Sequence, residues 1–308
     1  MKFSATDAVL IVDKPKGPTS FDVVREVKRL LPGAKVGHAG SLDPFATGVL
    51  ILLVGRATKH SDALLNADKE YRAQLKLGQA TDAMDCTGQV IEEKPVPDLS
   101  AERIAECVKG FEGEWMQTPP MFSAKKIKGV RLYELARQNI KIRLEPSPVQ
   151  LHKMDLLRWE SPLIEFDVSC SKGTYIRSLA DEMARRLDTV WHLVELRRVS
   201  CGEFKLEEAV TLERLKADPE PHFEAGRRHF NRLLRGGRSL FSSAGAPLGG
   251  AQATRQRRAD TEPPKGLDLS YPRDEERRNR ASIYNSGVKS NGYADKKCES
   301  KSSENDTI

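Results

Sequence analysis

Between Gly48 and Gly55 lie six consecutive apolar residues, 49–54, with no polar side chain among them. A strand with one wet face alternates apolar and polar positions, whereas an unbroken run bounded by glycines predicts a strand covered on both faces. The run is the longest apolar stretch in 308 residues and is far too short to cross a bilayer. Whatever fold forms must therefore place packed layers above and below this segment.

The flanking sequence supplies candidates for those layers. Residues 8–12 read as a short buried strand, and residues 20–31 as a helix with Val23, Val24, Val27, Leu30 and Leu31 on one stripe. Ser20 is the expected N-cap, and Pro32-Gly33 the stop. A glycine-punctuated loop follows, with Gly33, Gly37, Gly40 and Gly48. Tyr71, Ala73, Leu75 and Leu77 alternate with polar neighbours, as do Ile164, Phe166, Val168 and Cys170, which predicts two half-buried strands. Ser100 caps a helix carrying Ile104 and Val108. A helix over 174–187 buries Ile176, Leu179, Met183 and Leu187; a strand over 194–204 and a helix capped by Thr211 follow. Strands and helices mix without a regular βαβ repeat, so the expected class is α+β.

Charge is distributed unevenly. The net charge is +6, yet residues 222–308 hold 17 Lys and Arg against 11 Asp and Glu, and residues 1–221 hold 33 of each. Only 12 of those last 87 residues are Ile, Leu, Val or Phe, which predicts a disordered tail after a domain ending at 221. Inside the neutral part, residues 121–143 gather Lys125, Lys126, Lys128, Arg131, Arg137, Lys141 and Arg143 against the single acid Glu134. A solvated face is the usual reason for such a run; phosphate contacts are the other. Five cysteines without a CxxC pair fit a reducing cytoplasm, and six histidines without ligand spacing give no metal site. The first residues carry no signal peptide, so a cytoplasmic protein is expected.

The segment that invites chemistry is Gly37-His38-Ala39-Gly40-Ser41-Leu42-Asp43-Pro44-Phe45-Ala46-Thr47-Gly48. On spacing alone Asp43 is an N-cap with Pro44 as the first helical residue. Three glycines around an Asp and a His also suggest a backbone that something approaches closely. The segment resembles the signature G-H-x-G-x-L-D-P-x-A-x-G-V-L of TruB-type pseudouridine synthases, with every fixed position present. Further blocks follow in that family's order. They are Asp13-Lys14-Pro15-Lys16-Gly17, Lys69-Glu70-Tyr71-Arg72-Ala73, Gln117-Thr118-Pro119-Pro120, Ser171-Lys172-Gly173-Thr174-Tyr175-Ile176-Arg177 and Leu196-Arg197-Arg198. The resemblance spans roughly residues 8–216.

That resemblance implies a mixed β-sheet core flanked by helices, with an inserted thumb at about 117–143. It implies isomerisation of uridine to pseudouridine at position 55 in the T-arm of tRNA, by a monomer needing no metal, organic cofactor or protein partner. Asp43 matches the nucleophile, attacking either base or sugar, and Arg177 its guanidinium partner. Tyr71 matches the residue that stacks on the target base, Leu196 the apolar wall, and His38 the residue that fills the stack once the base is extruded. Lys14, Lys125, Lys126, Lys128 and Arg131 are the expected RNA contacts. Taken singly, each has a plainer reading: Arg177 a solvated first-turn residue, Tyr71 a strand aromatic, Leu196 core, His38 a loop histidine. Two departures stand out: Asp188-Thr189-Val190-Trp191 where relatives carry small residues, so that Trp191 needs extra room, and the lack of a recognisable C-terminal RNA-binding domain. A tRNA-folding chaperone that grips the T-arm without catalysis is the alternative function.

Overall fold

The computed structural model describes residues 7–121 and 144–240 and, between them, 123, 126, 127, 130–132, 138, 140 and 142. The first half of the chain runs β1 (Ala8–Lys14), α1 (Ser20–Leu30), β2 (Val36–His38), β3 (Thr47–Val54), a 3-10 segment and α2 (Ser61–Leu65). It continues with β4 (Lys69–Leu77), β5 (Gln79–Thr81), β6 (Val90–Glu93), α3 (Ala101–Lys109) and β7 (Gly113–Gln117). Two short strands, β8 (Lys126–Ile127) and β9 (Val130–Arg131), precede β10 (Ser147–Glu160), β11 (Leu163–Cys170) and α4 (Ile176–Arg186). Then come β12 (Trp191–Cys201), β13 (Phe204–Lys205), β14 (Val210–Thr211), α5 (Leu212–Ala217) and α6 (Pro219–Leu240).

Ten strands form one mixed sheet in the order β14-β1-β3-β12-β4-β11-β10-β7, with β2 on β3 and β13 on β12. The expected α+β architecture is present. β1 with β3, and β12-β4-β11-β10-β7, are antiparallel throughout. The two groups meet where β3 and β12 run parallel, pairing Arg197 with Thr47 and Arg198 with Gly48.

β3 is covered on both faces, as its unbroken apolar run requires. Leu50, Leu52 and Val54 face one core with Val23, Val24 and Val27 of α1, while Val49, Ile51 and Leu53 face a second with Phe204, Phe230 and Leu233. β4 alternates instead: Tyr71, Ala73, Leu75 and Leu77 point into the first core, and Glu70 and Arg72 are exposed. The N-cap of α1 lies one residue earlier than expected. Thr19 is the N-cap, accepting from Asp22 N in a capping box, which frees the Ser20 hydroxyl for another use described below. Trp191 finds its room: it is buried, and its indole N–H donates to Asp181 at 3.0 Å, while Asp188 takes the left-handed conformation (φ 53°) just ahead of it.

The domain boundary expected at 221 is corrected, because it falls inside α6. Phe223, Phe230 and Leu233 of that helix are buried. Gly226 lets the helix lie close on β1, since a Cβ there would sit 2.8 Å from Leu10 Cδ2 and 3.1 Å from Ala8 Cβ. Residues 241–308, the rest of the expected tail, lie outside the described residues. Among the described residues no helix is long and apolar enough to cross a membrane.

Candidate active site

The site is built on the loop between β2 and β3. Its conformation is imposed from below by side chains that reach its backbone. Lys14 has no exposed surface, and its ammonium donates to Pro15 O (2.9 Å), Pro44 O (3.2 Å) and Ala46 O (2.7 Å). The Ser20 hydroxyl accepts from Leu42 N at 2.8 Å and donates to Leu42 O at 3.2 Å. Arg198, 1% exposed, donates from Nε to Val49 O at 2.7 Å and from Nη2 to Gly40 O at 3.3 Å. At Gly48 (φ 99°) a Cβ would collide with the Arg198 carbonyl, so only glycine admits the loop's return into β3 here.

These ties decide two expectations. Lys14 as an RNA contact is corrected: a side chain with zero exposure, saturated by three carbonyls, holds the loop and cannot reach a phosphate. Burial lowers its pKa from the usual lysine value to about 8, with Asp43 opposing and Arg198 adding to the shift. Asp43 is no helix cap either. It opens a turn closed by Ala46 N donating to Asp43 O at 3.1 Å, and β3 follows directly.

Arg177 lies in the first turn of α4 with its side chain 5% exposed, which removes the solvated reading. Its Nη2 sits 2.9 Å from Asp43 Oδ2, and Nη1 donates to Ala83 O at 3.4 Å. Asp43 keeps 37% of its side chain open, so the pair has a buried cation and an accessible carboxylate. Burial nonetheless pushes the Asp43 carboxyl above its usual range; Arg177 pulls it back, Asp85 pushes further up, and Lys14 pulls down.

Asp85 was not singled out in the sequence. It is 6% exposed, its carboxylate accepts from Thr87 N (2.8 Å) and Thr87 Oγ1 (2.5 Å), and Thr81 Oγ1 donates to its carbonyl at 2.7 Å. The available signal was a Thr81–Asp85–Gly88 spacing in a loop after a strand, which alone reads as an ordinary turn.

Tyr71, 9% exposed, stands opposite Arg198 on β12 and Val168 on β11. Burial raises its phenol pKa while Arg198 opposes, so the hydroxyl carries its proton at neutral pH. Leu196, 7% exposed, pairs with Ala73 two positions along β4, on the same face as Tyr71. His38 ends β2 and is half-buried, with Ala39 N donating to Ile51 O at the loop's start. Lys126 and Arg131 are paired through their backbones in the β8–β9 hairpin; Lys125 and Lys128 lie outside the described residues. Among the described residues no group of three His, Cys, Asp or Glu could hold a metal ion.

Comparison with known proteins accords with this geometry. Residues 28–176 match the family described as TruB family pseudouridylate synthase, N-terminal domain. The tRNA pseudouridine synthase B of Opitutus terrae is 43% identical over 218 residues, covering 71% of this chain and 90% of that protein. The protein of the same name from Chlamydia pneumoniae is 47% identical over 206 residues, 66% of this chain and 86% of that one. For the Enterobacter relative the shares are 68% and 66% at 44% identity, so relatives differ in how far they extend beyond the shared part. Among solved structures, a chain from a Cbf5-Nop10-Gar1 complex superposes with a TM-score of 0.55 at 32% identity, covering 68% of this chain. One from an H/ACA RNP bound to a substrate RNA containing 2'-deoxyuridine gives 0.52 at 32% over the same share. This chain spans about half of each of those two, 54% and 52%. With the signature loop, the buried arginine partner and nine-tenths of a 43%-identical relative all matched, the chain belongs to the TruB family of pseudouridylate synthases.

Proposed function

We propose that this protein isomerises uridine 55 in the T-arm of tRNA to pseudouridine, with Asp43 as nucleophile. The observation that carries the reading is the 2.9 Å pair of an accessible Asp43 carboxylate and a buried Arg177. Burial raises the pKa of the carboxyl, and the fixed guanidinium opposes that shift by favouring the charged form. Uridine enters after leaving the RNA stack, at a cost of about a few kcal/mol. The Asp43 carboxylate adds to base or sugar, the C1′–N1 bond breaks, the uracil turns, C5 bonds to C1′, and the bond to Asp43 breaks to return the free carboxylate. The proton on C5 then leaves, and N1 gains one, so the product is an isomer and no electrons are exchanged. The Tyr71 ring supplies a face for the base, and its hydroxyl can relay the C5 proton. Leu196 walls the pocket, and His38 fills the vacated place in the RNA.

The thumb is the RNA grip in this reading, through its Lys and Arg side chains, and the partner is tRNA. Purified protein incubated with unmodified tRNA, followed by sequencing for pseudouridine, tests the assignment. One modified position, lost when uridine 55 is replaced by cytidine, is expected. Tight tRNA binding with no modified base would favour the folding chaperone, which has no use for Asp43.

A further inference from the structure

The thumb leaves the sheet at Gln117, the last residue of β7, and the chain returns at Ser147, which pairs with Gln117 across β7 and β10. Gln117 is wholly buried, and its side-chain bonds run to α4 and the turn ahead of it. Its amide Nε2 donates to Gly173 O at 2.9 Å, and its Oε1 accepts from Tyr175 N at 2.6 Å. Tyr175 is the N-cap of α4, has no side-chain cap bond, and stands two residues before Arg177. A second tie lies alongside, since the Ser178 hydroxyl donates to Thr118 O at 2.8 Å. The first turn of α4 is thus fastened to the thumb's root at residues 117 and 118, on both sides of the arginine that faces Asp43.

We propose that Gln117 is a positioning residue that sets Arg177 against Asp43 and links the root of the thumb to the catalytic ion pair. The proposal rests on the roles given above to Asp43 and Arg177. A primary amide can donate to one backbone group and accept from another at once without a change of protonation. Here it spans the turn that fixes where α4 begins, so it fixes the guanidinium's reach to Oδ2. Without it the Gly173 carbonyl and the Tyr175 N–H lose these partners, and the helix start is no longer pinned. A shift of about 1 Å at a reacting group can cost on the order of a hundredfold in rate.

Two variants with opposite pH behaviour test this. Gln117→Leu removes both bonds. Gln117→Glu keeps the acceptor, and regains the donor only when its carboxyl is protonated. Single-turnover pseudouridine formation and tRNA binding are measured from about pH 5.5 to about pH 8.5, alongside Asp43→Asn. Arg177 holds the Asp43 carboxyl down, so loosening it lets that pKa rise. The Leu variant should lose about tenfold to a hundredfold in rate, and its deficit should widen as pH falls. The Glu variant's deficit should narrow as pH falls. Binding of tRNA should stay within about twofold in both, because the loss is in geometry at the reacting atoms. A deficit equal at every pH in both variants would mark a general folding defect and overturn the proposal. So would weakened binding with an unchanged single-turnover rate, which would make Gln117 a hinge for the thumb alone. An inactive Asp43→Asn beside a fully active Gln117→Leu would sink the Gln117 role and leave the nucleophile standing. An active Asp43→Asn would instead sink the nucleophile assignment on which both depend.

Discussion

The signature loop and α6 are held in place by opposite kinds of force. The loop is placed by polar ties: Lys14 to three carbonyls, Ser20 to both backbone groups of Leu42, Arg198 to Gly40 O and Val49 O. α6 is placed by apolar burial of Phe223, Phe230 and Leu233, with Gly226 allowing close approach. Directional bonds fix atoms to tenths of an ångström and add little net stability, about 1 kcal/mol each. Buried rings add stability and tolerate small shifts. Changes in the loop should therefore cost turnover before stability, and changes in α6 the reverse.

The sharpest test of that contrast is Asp43→Asn. Pseudouridine formation should fall below detection by sequencing, while tRNA affinity holds. The stability forecast follows from the raised carboxyl pKa. A raised folded-state value means the group favours folding below its unfolded value and disfavours it as pH rises through the folded one. Above the unfolded carboxylate value the upward shift thus costs stability, and the Asn variant should melt at the same temperature or higher. A capping role predicts the contrary, with normal turnover.

For α6 the expected losses are thermodynamic. Ending the chain after residue 218 should abolish or greatly lower the main unfolding transition, whereas ending it after 240 should leave it in place. Phe230→Ala should cost about 3–5 kcal/mol in denaturant unfolding with kcat nearly unchanged. An α6 variant that unfolds normally but fails to turn over would break the comparison.

Smaller in size is the response of the thumb. Lys125, Lys126 and Lys128 changed together to Ala should flatten the salt dependence of tRNA binding. The slope should fall by about 0.7–0.9 for each phosphate that is no longer neutralised. An unchanged slope would return that run to a solvated face.

The finest test uses Lys14, whose pKa burial lowers to about 8. Between about 8 and the unfolded lysine value the unfolded chain binds more protons than the folded one, so this group's contribution to stability rises with pH. The neutral amine has two donors for three carbonyls, so the loop loses a tie over the same range. Turnover should decline above about pH 8 while the stability of the wild type relative to Lys14→Met increases. Parallel movement of the two would break the division between placing and stabilising.

How much of this was readable depended on whether the signal was local. The six-residue apolar run required two covering layers, and both exist. The signature loop marked Asp43, and the ordered blocks marked Arg177 and Tyr71. The loop's supports were not legible, because nothing in the sequence says that Lys14 turns inward or that Thr19 takes the cap and leaves Ser20 to Leu42. Asp85 was hidden for the same reason, since its closeness to Asp43 is tertiary. The missed helix is a different error. Five of the 12 large apolar residues counted over 222–308 fall within 222–240, and averaging across 87 residues diluted them. Phe223, Phe230 and Leu233, spaced seven and three apart with Gly226 between, carry a helical period that a shorter window would have kept.

The seam between the two antiparallel groups of strands has a consequence for the order of events on the ribosome. Arg198 reaches Val49 across 149 residues of chain, and Arg177 reaches Asp43 across nearly as many. Contacts so distant in sequence form late, after the cost of closing large loops has been met. A nascent chain can expose Asp43, the glycine loop and the whole basic thumb well before β12 emerges. Until then the loop lacks Arg198, and until residue 177 emerges the aspartate lacks its guanidinium partner. Chemistry is thereby withheld from any chain that has not been synthesised past residue 198.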